Sequence, residues 1–217
     1  MMTGEGLALD GTAVQPGGRP PAPGELAVVQ AFINSFFDLE GEWGADLLAT
    51  PESLSAWLTH RGLLPPGTKL RARDQARAVT VREGLRGLAA ANNDAWELVP
   101  PDELVLAGQA QPATSLAELN RAAGGAAVEV RIQDDGPRFA ATGAGLDRAL
   151  GVLLAITATA MLDGSWRRLK ACPGHHCGWA FYDHSRNQTG RWCSMSVCGG
   201  RAKARAHYHR RREEDRG

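Results

Sequence analysis

"CPGHHCGWAFYDHSRNQTGRWCSMSVCGGRAKARAHYHRRR", residues 172–212, holds all four cysteines of the chain and then turns almost wholly basic. The cysteines are Cys172, Cys177, Cys193 and Cys198: C-x4-C, fifteen intervening residues, then C-x4-C. Two close, equal pairs are what a tetrahedral four-thiolate zinc site needs, because each pair clamps one side of the ion and the intervening loop carries the chain across it. The pair spacing is wider than the common C-x2-C. Reduced free thiols, a redox pair and an iron–sulfur cluster are the other readings of four thiols. His175, His176 and His184 also lie in this stretch, and any one of them can replace a thiolate in a site of three cysteines and one histidine. The simpler account has one zinc ion per chain, held by the four cysteines.

Whole-chain charge is balanced, 24 Lys+Arg against 24 Asp+Glu, so it excludes nothing. Its distribution does more. Residues 163–217 carry twelve Lys/Arg and five Asp/Glu, a net of +7, which leaves −7 on residues 1–162. Such asymmetry points to a polyanion-binding end attached to an acidic body, against the blander reading of a solvated basic tail. Residues 1–24 show neither a basic n-region nor an apolar h-region, so a secretory signal is not expected. The longest apolar run, "ALGVLLAITATAML" (residues 149–162), is fourteen residues, shorter than a bilayer requires, and reads as a buried helix. A cytoplasmic protein without a membrane span is expected. In that compartment clustered cysteines point to metal rather than disulfides.

Upstream, "PGGRPPAPG" (residues 16–24) has too few apolar groups to offset ordering, and residues 1–24 read as disordered. Residues 25–38 place Val28, Val29, Phe32, Ile33 and Phe36 at helical spacing. Thr50 and Pro51 open a second helix through Leu54, Trp57 and Leu58, ended by Gly62 and the Pro65-Pro66 pair. Residues 69–92 form the longest periodic segment, with Val79, Val81, Leu85 and Leu88 inward and Arg73, Arg77, Arg82 and Arg86 read as a solvated face. "SLAE" (residues 115–118) reads as a capping box opening a short helix. "VEVRIQ" alternates with period two, "DDGP" supplies a turn and "RFAAT" returns, so a β-hairpin is expected, with residues 103–106 as a candidate third strand. A central helix over residues 146–162 follows.

The C-terminal stretch resembles the CGNR zinc finger found at the C-terminus of ABATE-domain proteins. The likeness rests on "RLKAC", on C-G-W-x-F-x-D-x-S-R-N (residues 177–187), on "RWCSM" and on CG-x-R-x-K (residues 198–203). The preceding body is similar to ABATE through "FIN" near Asn34, "TPESLSAWL" and "REGLRGL" (residues 82–88). The resemblance implies a bacterial transcription regulator, four cysteines as zinc ligands and a DNA-binding finger. Gly200 stands where the finger's name has Asn. No ligand is lost there, so metal binding survives; the contact made by that Asn is in question.

The reading that follows is an α+β chain. It has a mainly helical N-terminal domain with a small antiparallel sheet (residues 25–165), a small four-cysteine zinc finger with a basic helix (166–212) and a short tail (213–217). Its function is zinc-dependent DNA binding, with the body serving as a sensor or dimerisation domain. The alternative is an RNA- or protein-binding zinc module. H-E-x-x-H, phosphate-loop and nucleophile-elbow patterns are missing, which argues against an enzyme. Arg186, Asn187 and Arg191 in the loop and Arg201, Lys203, Arg205 and Arg212 on the basic helix are the candidate contacts to double-stranded DNA. A small-molecule ligand in the body and a homodimer stay open.

Overall fold

In the computed structural model the described residues are 15–37, 45–98, 112–174 and 177–214, without the side chains of 37, 45, 97, 98, 112–115, 205, 206, 209, 210 and 212–214. The elements are α1 (Leu26–Ile33), β1 (Phe36–Phe37), β2 (Ala45–Asp46), α2 (Pro51–His60), α3 (Ala72–Ala91), α4 (Pro112–Ala122), β3 (Val128–Gln133), β4 (Gly136–Ala141), α5 (Gly145–Leu162), β5 (Leu169–Ala171), β6 (Ala180–Tyr182) and α6 (Gly200–Glu214). Among the described residues the strands form three antiparallel pairs, β1–β2, β3–β4 and β5–β6. The chain is α+β, as its periodicities indicate.

One apolar core joins α1, α2, α3 and α5 through Val29, Phe32, Ile33, Leu54, Trp57, Leu58, Val81, Leu85, Leu150 and Leu153. Phe32 and Trp57 meet edge to face with centroids 5.5 Å apart. Thr50 caps α2 as expected, its Oγ1 accepting the Ser53 N–H, and Gly62 ends the turn after it at φ 67°. Helix α4 lies so close on α3 that a Cβ at Gly84 would sit 2.6 Å from the Leu119 side chain, so only glycine fits there.

Several expectations change. Helix α1 stops at Ile33, and Phe36 belongs to a strand; the Asn34 side chain is engaged elsewhere, as described below. Helix α4 begins at Pro112, so Ser115 lies inside it and not at its cap. The candidate strand at residues 103–106 lies outside the described residues. Helix α5 is 18 residues long with mean hydropathy 1.5, enough to cross a membrane by length and composition alone. It instead buries Leu146, Ala149, Leu150 and Leu153 in the core and half-buries Val152 and Ile156.

The largest correction concerns α3. Arg82 and Arg86 are 2% and 1% exposed rather than solvated, while Arg73 stays in solvent. They share a helical stripe with Ala78, Leu85 and Ala89, where small neighbours leave room for a guanidinium. Arg82 grips Asp46 with both terminal nitrogens at 2.6 and 3.1 Å. Glu83 accepts from Nε of Arg82 at 2.7 Å and of Arg86 at 2.8 Å. Burial raises the Glu83 carboxyl, but Arg86 and Arg82 outweigh it and hold it below the usual range.

Residues 15–24 are also not the loose lead-in their composition suggests; residues 1–14 lie outside the described residues. Gln15 is buried and its Oε1 accepts from Gln30 Nε2 at 2.9 Å and from Trp179 Nε1 at 3.0 Å. Ala22 N donates to Gln30 Oε1 at 2.7 Å. Directed polar bonds, which composition does not register, hold this segment, and four prolines in residues 15–24 limit the freedom it loses on folding.

Candidate metal centre and basic face

The finger begins as a hairpin. Strands β5 and β6 pair Leu169 with Tyr182, Lys170 with Phe181 and Ala171 with Ala180. Period-two alternation then sends Leu169, Ala171, Ala180 and Tyr182 into the main core. Phe181 and Trp179 go to a second cluster with the four cysteines and Trp192. The aromatics therefore both cover the metal-binding cluster and dock the finger.

Side-chain amides close both edges of this short ladder. On the β6 side, Ala180 N donates to Asn34 Oδ1 at 2.7 Å and Asn34 Nδ2 returns a bond to Ala180 O at 2.8 Å. Arg86 extends the same edge, donating to Gly178 O at 2.6 Å while its other terminal nitrogen serves Ile33 O and Phe36 O. On the β5 side, Asn92 donates to Leu169 O, and Asn93 and Trp96 donate to Ala171 O at 2.8 and 3.0 Å. The sequence reading missed all of these residues. A signal for two of them lay in the stretches that carry the resemblance, Asn34 in "FIN" and Arg86 in "REGLRGL"; Asn92, Asn93 and Trp96 lie outside those stretches.

The hairpin brings the cysteines together. All four are buried, and their sulfurs lie within 4.8 Å of one another. Cys193 Sγ is 3.6 Å from both Cys177 Sγ and Cys198 Sγ. Tetrahedral zinc with sulfurs at about 2.3 Å requires sulfur pairs about 3.8 Å apart, so the cluster fits one zinc ion. Four thiols this close cannot all ionise without a cation. Hydrogen bonding to Cys172 and Cys198, with burial, raises Cys177 and Cys193, whereas hydrogen bonds from Cys172, Cys177 and Cys193 and the Arg201 charge lower Cys198. A bound divalent cation supplies the missing positive charge and keeps the ligands as thiolates.

The knuckles have little room. A Cβ at Gly174 would lie 2.9 Å from Cys198 Sγ, so a side chain there would displace a ligand. Ser194 caps the π-turn Met195–Gly199, accepting the Val197 N–H at 3.3 Å. Arg19 donates to Cys193 O at 3.0 Å and Trp192 O at 3.2 Å, with its guanidinium 5.1 Å over the Phe181 ring. Of the rival ligands, His184 is exposed and sits 3.1 Å from Pro21 O, apart from the cluster. His175 and His176 lie outside the described residues.

The loop after β6 is built on a buried ion pair. Lys170 Nζ meets Asp183 Oδ2 at 3.0 Å and also donates to the carbonyls of Gln188 and Gly190. Asp183 is fully buried and accepts from Ser185 N, Ser185 Oγ and Gly190 N. Burial raises its carboxyl, but Ser185 and Lys170 overcome that and bring it to about 2. A Cβ at Gly190 would fall 2.8 Å from this carboxylate.

This anchored loop presents Arg186, Asn187 and Arg191, all exposed. Helix α6 starts two residues after Cys198 and presents Arg201, Lys203 and Arg211 to solvent. Arg205 and Arg212 belong to its backbone, but their side chains lie outside the described ones. The structure thus gathers the cysteines into one site and leaves the candidate DNA contacts spread over two exposed segments. At Gly200, φ −64° and ψ −46° are ordinary helical values, and a Cβ would meet only Met195 O at 3.7 Å. Nothing in the backbone requires glycine there, and an Asn fits.

A closed four-thiolate centre, set on a hairpin that belongs to a helical core, defines the class: a zinc-finger protein whose finger is part of the body's packing. Residues 168–211 match the model described as CGNR zinc finger. Residues 24–164 match the ABATE model, described as "Putative stress-induced transcription regulator". The chain belongs to the ABATE family and carries a CGNR zinc finger. No curated protein matches it.

Proposed function

We propose that the chain is a zinc-dependent, DNA-binding transcription regulator of the cytoplasm. The observation that carries the reading is the basic helix α6, which leaves the metal centre two residues beyond Cys198 with Arg201, Lys203 and Arg211 exposed. Zinc fixes the start of that helix, so its cations meet a polyanion from a preorganised base. Positions 201, 205 and 212 fall within about 40° of one another around a helix of 3.6 residues per turn. That arrangement suits phosphates along one groove wall, or base edges from within a major groove. The loop residues Arg186, Asn187 and Arg191 add a second set of donors.

The reading is of binding and not of catalysis. Four cysteine ligands fill a tetrahedral zinc ion and leave no position for a substrate or activated water. The test is selection from a random pool of duplex oligonucleotides by the zinc-loaded chain, followed by affinity against salt and competition with RNA. A duplex of defined sequence, bound more weakly as salt rises, supports the proposal. Preference for RNA over every duplex, or no salt-dependent binding, overturns it.

A further inference from the structure

Among the described residues the β3–β4 hairpin leaves one side of the body unfilled. All six residues of β3 are exposed, including Val128 at 37%, Val130 at 59% and Ile132 at 80%. Their cross-strand partners Ala141, Phe139 and Pro137 line, with Val152, Ile156 and Leu162 of α5, an open groove of about 470 Å³. Isolated apolar side chains at a surface need no explanation; a row of three on an edge strand does.

The hydrogen-bond phase of the hairpin shows which groups remain. Gln133 and Gly136 close the two-residue turn, and Thr142 N donates to Ala127 O at 3.0 Å. Residues 127, 129, 131 and 133 therefore bond inward to β4, and the N–H and C=O groups of Val128, Val130 and Ile132 point to the outer edge. Pro137 fits this phase, for its missing N–H falls on the outer edge of β4, which it blunts. The β3 edge has no such block, and among the described residues no strand pairs with it.

We propose that this edge pairs with β3 of a second copy of the chain, antiparallel about a twofold axis at Val130. The pairing is complementary at every position. Val130 faces its own copy and Val128 faces Ile132 of the other chain, so all six outward backbone groups on each strand find partners. Glu129 faces Arg131 of the other chain, twice, on the opposite face of the sheet. Within one chain the same two side chains now pair with each other and stay largely exposed, at 45% and 63%. The result is a four-stranded sheet with one continuous apolar face on the groove side, carrying Val128, Val130 and Ile132 of both copies. A twofold dimer would also present two basic helices, but the inference does not rest on DNA binding.

The experiment is sedimentation equilibrium of the zinc-loaded full chain, without DNA. The unaltered chain should be a dimer. Glu129→Arg and Arg131→Glu each place like charges opposite one another at both pairs, and each should weaken the dimer by about tenfold or more. An equimolar mixture of the two variants should recover a heterodimer, and so should the double exchange as a homodimer. Val130→Pro removes an outward N–H that the hairpin does not use and should abolish dimerisation while circular dichroism stays unchanged. A monomer at the highest soluble concentration overturns the proposal, as when residues 103–106 of the same chain occupy the edge. A dimer indifferent to both charge variants overturns it equally.

Discussion

The Asp183 carboxylate ties the loop after β6 to Lys170 on β5. This buried group receives Lys170, the Ser185 hydroxyl and two backbone N–H groups. Asp183→Asn should leave the Lys170 ammonium buried without its counter-charge, at a cost of about 3 kcal/mol measured by denaturant unfolding. The folded carboxyl titrates near 2, below its value in an open chain. A depressed carboxyl stabilises the fold above the unfolded pKa and loses that contribution as pH falls through the folded value. The stability gap between the parent chain and Asp183→Asn should therefore be full at pH 6 and shrink below about pH 4. A gap that stays constant would show that the charge is not what matters. Two glycines divide in the same way. Gly174→Ala should cut zinc affinity, because its Cβ lands on Cys198 Sγ. Gly200→Asn should leave affinity unchanged and raise stability slightly, Asn being the better helix former. Chelator competition reads both, and a loss of zinc on Gly200→Asn would contradict the open space beside it.

The elements differ in how plainly the sequence announces them. The cysteine centre is legible because its ligands declare themselves by type and linear spacing, with no need to know what packs around them. The β3–β4 hairpin is legible because "VEVRIQ" alternates and "DDGP" marks a turn, although the turn is only Asp134-Asp135 and β4 already starts at Gly136. Strands β5 and β6 are hidden: three residues are too few for a period to show. Arg82 and Arg86 mislead for a different reason. A cation on a helix is usually solvated, and only Asp46, Glu83 and the carbonyls of distant residues make their burial acceptable. Partners of that kind exist only once the chain has folded. For α6 the basic pattern is legible but its role is a prediction. Arg201→Ala should lower affinity for all duplexes alike and reduce the salt slope by about one if the side chain meets phosphate. If it reads a guanine it should cost about 1–3 kcal/mol at one base pair. Arg73→Ala, on the exposed face of α3, should do neither.

Across the whole molecule, the family boundary between residues 164 and 168 is not a boundary in the packing. Leu169, Ala171, Ala180 and Tyr182 are core residues of the helical body, and Asn34, Arg86 and Asn93 each hydrogen-bond to the finger. Composition suggests a finger that unfolds alone when zinc leaves. The shared core predicts instead that chelation lowers the thermal midpoint of the body as well, by about 2–4 °C for each kcal/mol of coupling lost. Calorimetry with and without chelator checks this. Two transitions, with the body's unmoved by zinc, would mean that the hairpin holds its place without the metal.

The strap formed by residues 15–24 bears on any attempt to study the finger by excision. Arg19 satisfies the backbone of a ligand cysteine, and Gln15 satisfies the indole of Trp179. A fragment cut near residue 166 loses both, together with the amides that close its sheet edges, and bares Leu169, Ala171, Ala180 and Tyr182 to water. Such a fragment should aggregate or bind zinc loosely, and a failure to bind DNA would then describe the cut and not the protein. The smallest faithful unit runs from before Gln15 through α6, so the shortest peptide able to present this finger is nearly the full chain.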